Sequence, residues 1–161
     1  MLDLDRFKRA QDRSFEGFET ALDELQAGHK RSHWIWYIFP QLAGLGSSSM
    51  SARFGLDGED EAAAYLCDPL LRERLLAVTS AVAAQLQRRP PAALRDLMSS
   101  ETDVLKLVSS MTLFREVARR GDQVEALPDA AQLAAKADLI LRIAGEQGYA
   151  ECAATRRQLA V

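Results

Sequence analysis

One stretch of the sequence decides the fold: residues 30–42, which read KRSHWIWYIFPQL and hold both tryptophans of the chain. Trp, Ile, Tyr and Phe favour strands, but the apolar residues of this stretch do not alternate with polar ones. No second convincing strand exists to pair with it, and an isolated strand would leave its backbone N–H and C=O groups without partners. The stretch is therefore predicted to form a short buried helix that ends at Pro40.

The segments on either side of this stretch extend the helical pattern. Apolar residues at spacings of three and four predict an amphipathic helix from about Leu4 to Ala27, broken near residues 12–14, with Phe15 on its buried face. Gly28 is predicted to end that helix. Residues 41–58 contain four glycines and three consecutive serines, and they are predicted to form a long ordered loop.

The remainder of the chain also has a helical period. The Asp68-Pro69 step predicts a new helix start, with Asp as the N-cap and Pro as the first helical residue. The fold is predicted to be all-α, a compact single domain over residues 1–161 with about six to eight helices, orthogonal rather than a regular four-helix bundle. The other predicted helices cover 59–67, 69–87, 91–98, 103–119, 129–144 and 151–159.

Composition narrows the class of protein. The chain has 161 residues, 48% hydrophobic and 27% charged, as expected of an ordinary globular domain. Its net charge of −3 argues against nucleic acid or a membrane surface as the partner, since both favour a basic excess. Its two cysteines are predicted to be reduced, packed thiols, its charged start is unlike a signal peptide, and we expect a cytoplasmic monomer.

Several motifs resemble a known family. They are HWIWYIFPQ at 33–41, GLG at 44–46 and DVLKLVSSMTLF at 103–114. Together they resemble an uncharacterised bacterial family of domains of unknown function, some members of which carry the misleading name calpastatin. The resemblance implies a compact all-helical domain and no settled activity. It covers a core of about residues 1–119, whereas the helices of about 129–161 depart from the family pattern.

Side chains of the aromatic stretch are the types found in a pocket for a small anion that carries a ring. Cations would bind a phosphate, an indole face would stack on a base or sugar, and an amide would form hydrogen bonds. The alternative is that the tryptophans fill the core and the cations are solvated. On a helix, Trp34 points away from the face that bears His33 and Trp36. The predicted ligand-binding residues here are Lys30, Arg31, Trp36, Tyr37 and Gln41.

A second group of candidates lies on the helix predicted from residue 103. Lys106 stands inside the apolar run VLKLV, so it is predicted to be a half-buried cation, paired with Asp103 and facing a ligand. Ser109 and Ser110 would donate hydroxyl groups to the same ligand. The alternative is an ordinary ion pair on a solvated face, with serines bonded to the backbone.

The backbone N–H groups of the glycine-serine loop could bind a phosphate. Ser48 in this loop is therefore one further candidate ligand-binding residue. The loop lacks the Gly-Lys-Ser/Thr ending of a nucleotide-binding loop, so a plain connector is the alternative. His29 and His33 have no Cys, His or Asp cluster to join, and neither a metal nor a cofactor is predicted.

Two functions remain open at the level of sequence. In the first, a nucleotide or nucleotide-sugar is bound, or hydrolysed with His33, Asp103 or Lys106 as catalytic groups. In the second, the chain is a non-enzymatic helical module for protein interaction, and the motifs determine only its fold. The sequence contains no catalytic signature that decides between them.

Overall fold

A computed structural model describes residues 2–161, and within this range the protein is all-α, as predicted. Seven helices have seven residues or more, in agreement with the predicted six to eight, and four shorter ones bring the described total to eleven. The helices are α1 Asp5–Gln11, α2 Phe18–Ala27, α3 Ile35–Ile38, α4 Ser49–Phe54, α5 Gly58–Cys67, α6 Pro69–Leu86, α7 Leu94–Met98, α8 Glu101–Ala118, α9 Asp122–Glu125, α10 Ala130–Glu146 and α11 Ala153–Leu159.

Helix α8 forms the centre of the fold. It packs against α10 most extensively and also contacts α3, α5, α7, α9 and α11. Its apolar side chains Val104, Leu107, Met111 and Phe114 are fully buried. This helix is buried on most of its circumference because it has neighbours on most sides, unlike a member of a four-helix bundle.

The first predicted helix is two helices. Helix α1 ends at Gln11, and α2 begins only at Phe18, so the interruption is longer than residues 12–14. Phe15 was predicted to face the core but lies in this connection and is 69% exposed. The predicted stop is confirmed: Gly28 caps α2 with a φ of +91°, which glycine adopts at little cost.

The aromatic stretch folds as predicted, into the short helix α3, which ends before Pro40. Trp34 and Tyr37 are fully buried. The carboxylate of Glu24 on α2 holds the entry to α3, where it accepts hydrogen bonds from Trp34 Nε1 at 2.9 Å and from the backbone N–H of Arg31 at 2.7 Å. Ser32 donates to the same carboxylate through its backbone N–H and its hydroxyl.

The predicted loop over residues 41–58 was wrong in part, because it contains helix α4. The Ser48 side chain caps this helix and accepts a hydrogen bond from the backbone N–H of Ser51 at 3.1 Å. Phe54 on α4 is 2% exposed, so tertiary burial stabilises a helix whose local sequence is weakly periodic. An isolated parallel β-bridge between Leu42 and Leu56 joins the two ends of the segment that contains α4.

Candidate functional site

A cleft of about 480 Å³ lies where the segment after α3, helix α8 and the start of α11 meet. This volume is within the range of about 300–1,000 Å³ that small-molecule sites occupy. Residues from three distant parts of the sequence line the cleft: Gln41, Leu45, Gly46, Ser47, Ser48, Ser51, Thr102, Leu105, Lys106, Ser109, Cys152 and Ala154. Four of the predicted site residues, Gln41, Ser48, Lys106 and Ser109, therefore line one cavity.

Lys106 is the one basic side chain among the residues that line this cleft. It is half-buried, as predicted, and its ammonium lies 4.8 Å from the centre of the Trp36 ring. No carboxylate in residues 2–161 comes within 4.0 Å of it. A cation that rests on an aromatic face and has no counter-ion is available to an incoming anion.

The predicted ion pair between Lys106 and Asp103 was wrong. Asp103 instead lies 2.9 Å from the ammonium of Lys30, and the side chains of this pair are 16% and 5% exposed, respectively. The Lys30 ammonium also lies 4.9 Å from the centre of the Trp34 ring. The tertiary fold satisfies Asp103 from another segment, so Lys30 and Asp103 join the aromatic stretch to α8 and do not line the cleft.

Trp36 lies outside the lining of the cleft, although its ring is beside the Lys106 ammonium, and four other predicted site residues also lie outside it. His33 and Arg31 are exposed at the entry to α3. The buried Tyr37 donates its hydroxyl to the backbone carbonyl of Glu16 at 2.6 Å, and burial raises the pKa of this phenol. Ser110 is fully buried. The roles assigned to these four residues from the sequence stay predictions, and geometry does not place them beside Lys106.

Hydroxyl groups join α8 to α11 at one wall of the cleft. The Ser109 hydroxyl lies 3.3 Å from the hydroxyl of Thr155, which donates a hydrogen bond to Cys152 Sγ at 3.2 Å. The backbone N–H of Cys152 donates to Thr112 Oγ1 at 3.3 Å. Burial alone would raise the pKa of the Cys152 thiol, but these side-chain hydroxyls and backbone N–H groups at the start of α11 lower it below its ordinary value.

The opposite wall depends on a glycine. A Cβ on Gly46 would lie 2.4 Å from Ser51 Oγ and 2.8 Å from Ser51 Cβ, which is closer than such atoms can approach. The Ser51 hydroxyl accepts a hydrogen bond from Ser48 at 3.0 Å. Gly46 therefore lets the loop lie against the first turn of α4.

The sequence did not predict that the C-terminal segment forms part of this cleft. Cys152 and Ala154 line it, and the preceding Glu151 is held by Arg115 of α8, with Arg115 Nη1 at 3.1 Å from Glu151 Oε2. Arg115 is 5% exposed. The sequence shows only that an arginine directly follows the mostly apolar run MTLF, and this does not identify Glu151 as its partner.

The two thiols differ in their surroundings. Both cysteines are free, but Cys67 is exposed, so the prediction of two packed thiols was wrong for Cys67. It lies at the C-terminal end of α5, away from the cleft lining. Among the described residues, no group of three or more His, Cys, Asp or Glu side chains is placed to hold a metal ion.

Another hollow of about 480 Å³ lies between the α1–α2 connection and α6. Three acidic residues, Asp12, Glu19 and Glu73, line it, and the guanidinium of Arg74 is already 2.7 Å from Asp12. Arg13 also lines this hollow, so its three carboxylates face two guanidinium groups and an anion is less favoured there than at Lys106. In contrast, no residue that lines the cleft at Lys106 is acidic.

The fold and the cleft define an all-α protein in which distant segments converge on one unpaired lysine. Residues 1–136 match the model of a family described as "Protein of unknown function (DUF1810)". The chain belongs to this family, and the resemblance seen in its motifs is confirmed.

Solved structures provide a second comparison. The chain is similar to a conserved hypothetical protein of Mycobacterium tuberculosis, Rv1873, with 35% sequence identity and a TM-score of 0.72. The match covers 99% of this chain and 97% of that one, so it includes the C-terminal helices that we expected to diverge. A search of curated proteins found no match.

No helix within residues 2–161 has both the length and the apolar composition that crossing a bilayer requires.

Proposed function

We propose that this protein binds a small anionic molecule that carries a ring, of the nucleotide or nucleotide-sugar class, in the cleft at Lys106. The observation that carries the proposal is the position of the Lys106 ammonium, which has no carboxylate within 4.0 Å and lies 4.8 Å from the centre of the Trp36 ring. A cation that lines the cleft and an aromatic ring directly behind it are the two groups that would bind a phosphate joined to a base.

The other walls of the cleft add hydrogen-bonding groups. Gln41 offers an amide, and Ser48 and Ser109 offer hydroxyl groups. An adjoining hollow of about 400 Å³ shares Leu45 and Ala154 with the cleft and is lined by Arg157, which places a second cation beside it. A diphosphate could therefore extend from Lys106 towards α11.

Binding, rather than hydrolysis, is the function that the geometry favours. The acid–base groups proposed from the sequence are His33 and Asp103. His33 is exposed outside the lining of the cleft, and Asp103 is held by Lys30 at 2.9 Å. Neither lines the cleft, so of the three catalytic groups predicted from the sequence only Lys106 is present there, without the acid–base partner that hydrolysis was expected to use.

The experiment is a thermal-shift titration of the full chain with ADP-ribose, AMP and ribose 5-phosphate. A compound present at about 100 times its Kd should raise Tm by about 5–10 °C for a chain of this size. Lys106→Met should abolish the shift, because it removes the ammonium but keeps the length of the side chain. The matched control is Lys136→Met on α10, another half-buried lysine that does not line the cleft and should leave the shift intact.

Two results would contradict the proposal. One is the absence of a shift with every phosphate compound in the wild-type chain. The other is an equal shift in wild type and in a folded Lys106→Met variant. Either result would favour the alternative, a non-enzymatic helical interaction module. The cytoplasmic location and the monomeric state expected from the sequence remain part of this proposal.

A further inference from the structure

The inner end of the cleft narrows to a notch beneath Lys106. The notch shares Gln41, Ser51 and Lys106 with the outer cleft. Its remaining walls are mostly aromatic and come from Trp36, Phe39, Phe54 and Gly55. A flat apolar ring is the ligand group that such walls would contact best.

The notch is too small to hold a ring. It encloses about 10 Å³, whereas a single water molecule needs about 10–15 Å³. The Lys106 side chain is one of its walls, and its ammonium covers the Trp36 ring at 4.8 Å from the ring centre. A lysine stem has four carbons and rotates freely, so this wall can move while the aromatic walls stay in place.

Trp36 also carries a donor that the described residues do not satisfy. Its Nε1 is buried, and no acceptor pairs with it. Trp34, two residues away, shows the ordinary arrangement, since its Nε1 donates to Glu24 at 2.9 Å. A buried donor without a partner is costly and therefore rare, and a ligand acceptor would remove that cost.

We propose that Lys106 gates a base-binding subsite on Trp36, and this inference rests on the proposed function. The phosphate of a nucleotide draws the Lys106 ammonium off the indole and into the outer cleft. The uncovered ring of Trp36 then stacks on the base, and its in-plane Nε1–H is left to donate to an acceptor of the ligand that lies at the edge of the indole. Binding of the phosphate therefore uncovers the site where the base binds, and the two parts of the nucleotide bind cooperatively.

The experiment compares AMP, ribose 5-phosphate and adenosine by calorimetry on the full chain. AMP should bind about tenfold or more tightly than ribose 5-phosphate, because stacking on an aromatic side chain contributes that much. Trp36→Leu should bring the affinity for AMP to that for ribose 5-phosphate, which itself should bind no more weakly than to the wild type, because the ammonium no longer has to leave an aromatic face. Lys106→Ala should bind adenosine more tightly than the wild type does, because the cover of the ring is gone.

A second measurement does not depend on the folding of Trp36→Leu. Trp34 is fully buried, so acrylamide quenching of the wild-type chain reports on Trp36. AMP should protect Trp36 from the quencher, and ribose 5-phosphate should make it more accessible.

The outcomes separate the two proposals. Equal affinities for AMP and ribose 5-phosphate, with quenching unchanged by both, would overturn the subsite on Trp36 and leave the anion site at Lys106 standing. A wild-type chain that binds neither phosphate compound would overturn both.

Discussion

The indole N–H of Trp34 donates to the carboxylate of Glu24 at 2.9 Å, and this hydrogen bond connects the aromatic stretch to α2. The same carboxylate accepts hydrogen bonds from the backbone N–H groups of Arg31 and Ser32 at 2.7 and 3.0 Å. It therefore fixes the turn from which α3, and with it Trp36, enters the core.

We predict that Glu24→Gln destabilises the fold. The amide keeps one acceptor oxygen but turns an NH₂ group towards donors, so hydrogen bonds to a charged group are lost. The free energy of unfolding should fall by about 2–3 kcal/mol, as measured by urea denaturation. The control is Asp23→Asn, an exposed neighbour with the same change of charge, which should be near neutral. Equal effects of the two changes would contradict the prediction.

The same carboxylate predicts a dependence of stability on pH. Burial tends to raise the pKa of Glu24, but hydrogen bonds from Ser32, Arg31 and Trp34 lower it below its ordinary value of 4.5. A lowered pKa in the folded chain gives stability that is fully present above about pH 4.5 and is lost as pH falls through the folded pKa. Denaturation followed from pH 6 to pH 3 should show this loss, and Glu24→Gln should reduce its slope.

The pair of Lys30 and Asp103 gives a third prediction. Both side chains are at least four-fifths buried, so Lys30→Met leaves a carboxylate without a counter-ion. The expected loss is about 3–5 kcal/mol. Arg31→Met, at the exposed neighbouring cation, should change stability little.

A double variant separates the loss of the pair from the loss of packing. Lys30→Met combined with Asp103→Asn should be less destabilised than the sum of the single changes, because no buried charge is left unpaired. Additive effects would contradict this explanation. The comparison also shows whether Asp103 acts in folding before any catalytic role is sought for it.

Cys152 provides a chemical reporter for the cleft wall. Because hydrogen bonds lower the pKa of its thiol, a larger fraction is thiolate at neutral pH than the ordinary value of 9.0 would give. In a Cys67→Ser background, the midpoint of the rate of iodoacetamide alkylation against pH should lie below 9.0. Thr155→Val, which removes the donor at 3.2 Å, should move this midpoint upwards. An unchanged midpoint would rule out the hydroxyl as the cause.

The sequence predicted those features that depend on local period and residue type. The helical class, the stop at Gly28, the buried helix at Pro40 and the half-buried state of Lys106 all follow from neighbouring residues. The sequence did not predict which charged side chains from distant segments pair in the fold. Asp103 had a close cation in sequence, Lys106, but pairs with Lys30 because the fold brings that buried amine nearer.

The cleft itself was predictable only in part. Gln41, Ser48, Lys106 and Ser109 were chosen by residue type, and the fold brings them together. Cys152 and Ala154 were not chosen, because their place depends on how α11 docks against α8. No local pattern encodes that contact.

The docking of α11 has a consequence for the order of events during folding. One wall of the cleft comes from residues 152–154, and it stays in position because Arg115 binds Glu151. The cleft is therefore incomplete until α11 has docked against α8. Under the proposed function, a nucleotide would bind only after α11 has docked, so adding it during refolding should leave the earlier steps untouched, and adding it to the folded chain should slow the detachment of α11.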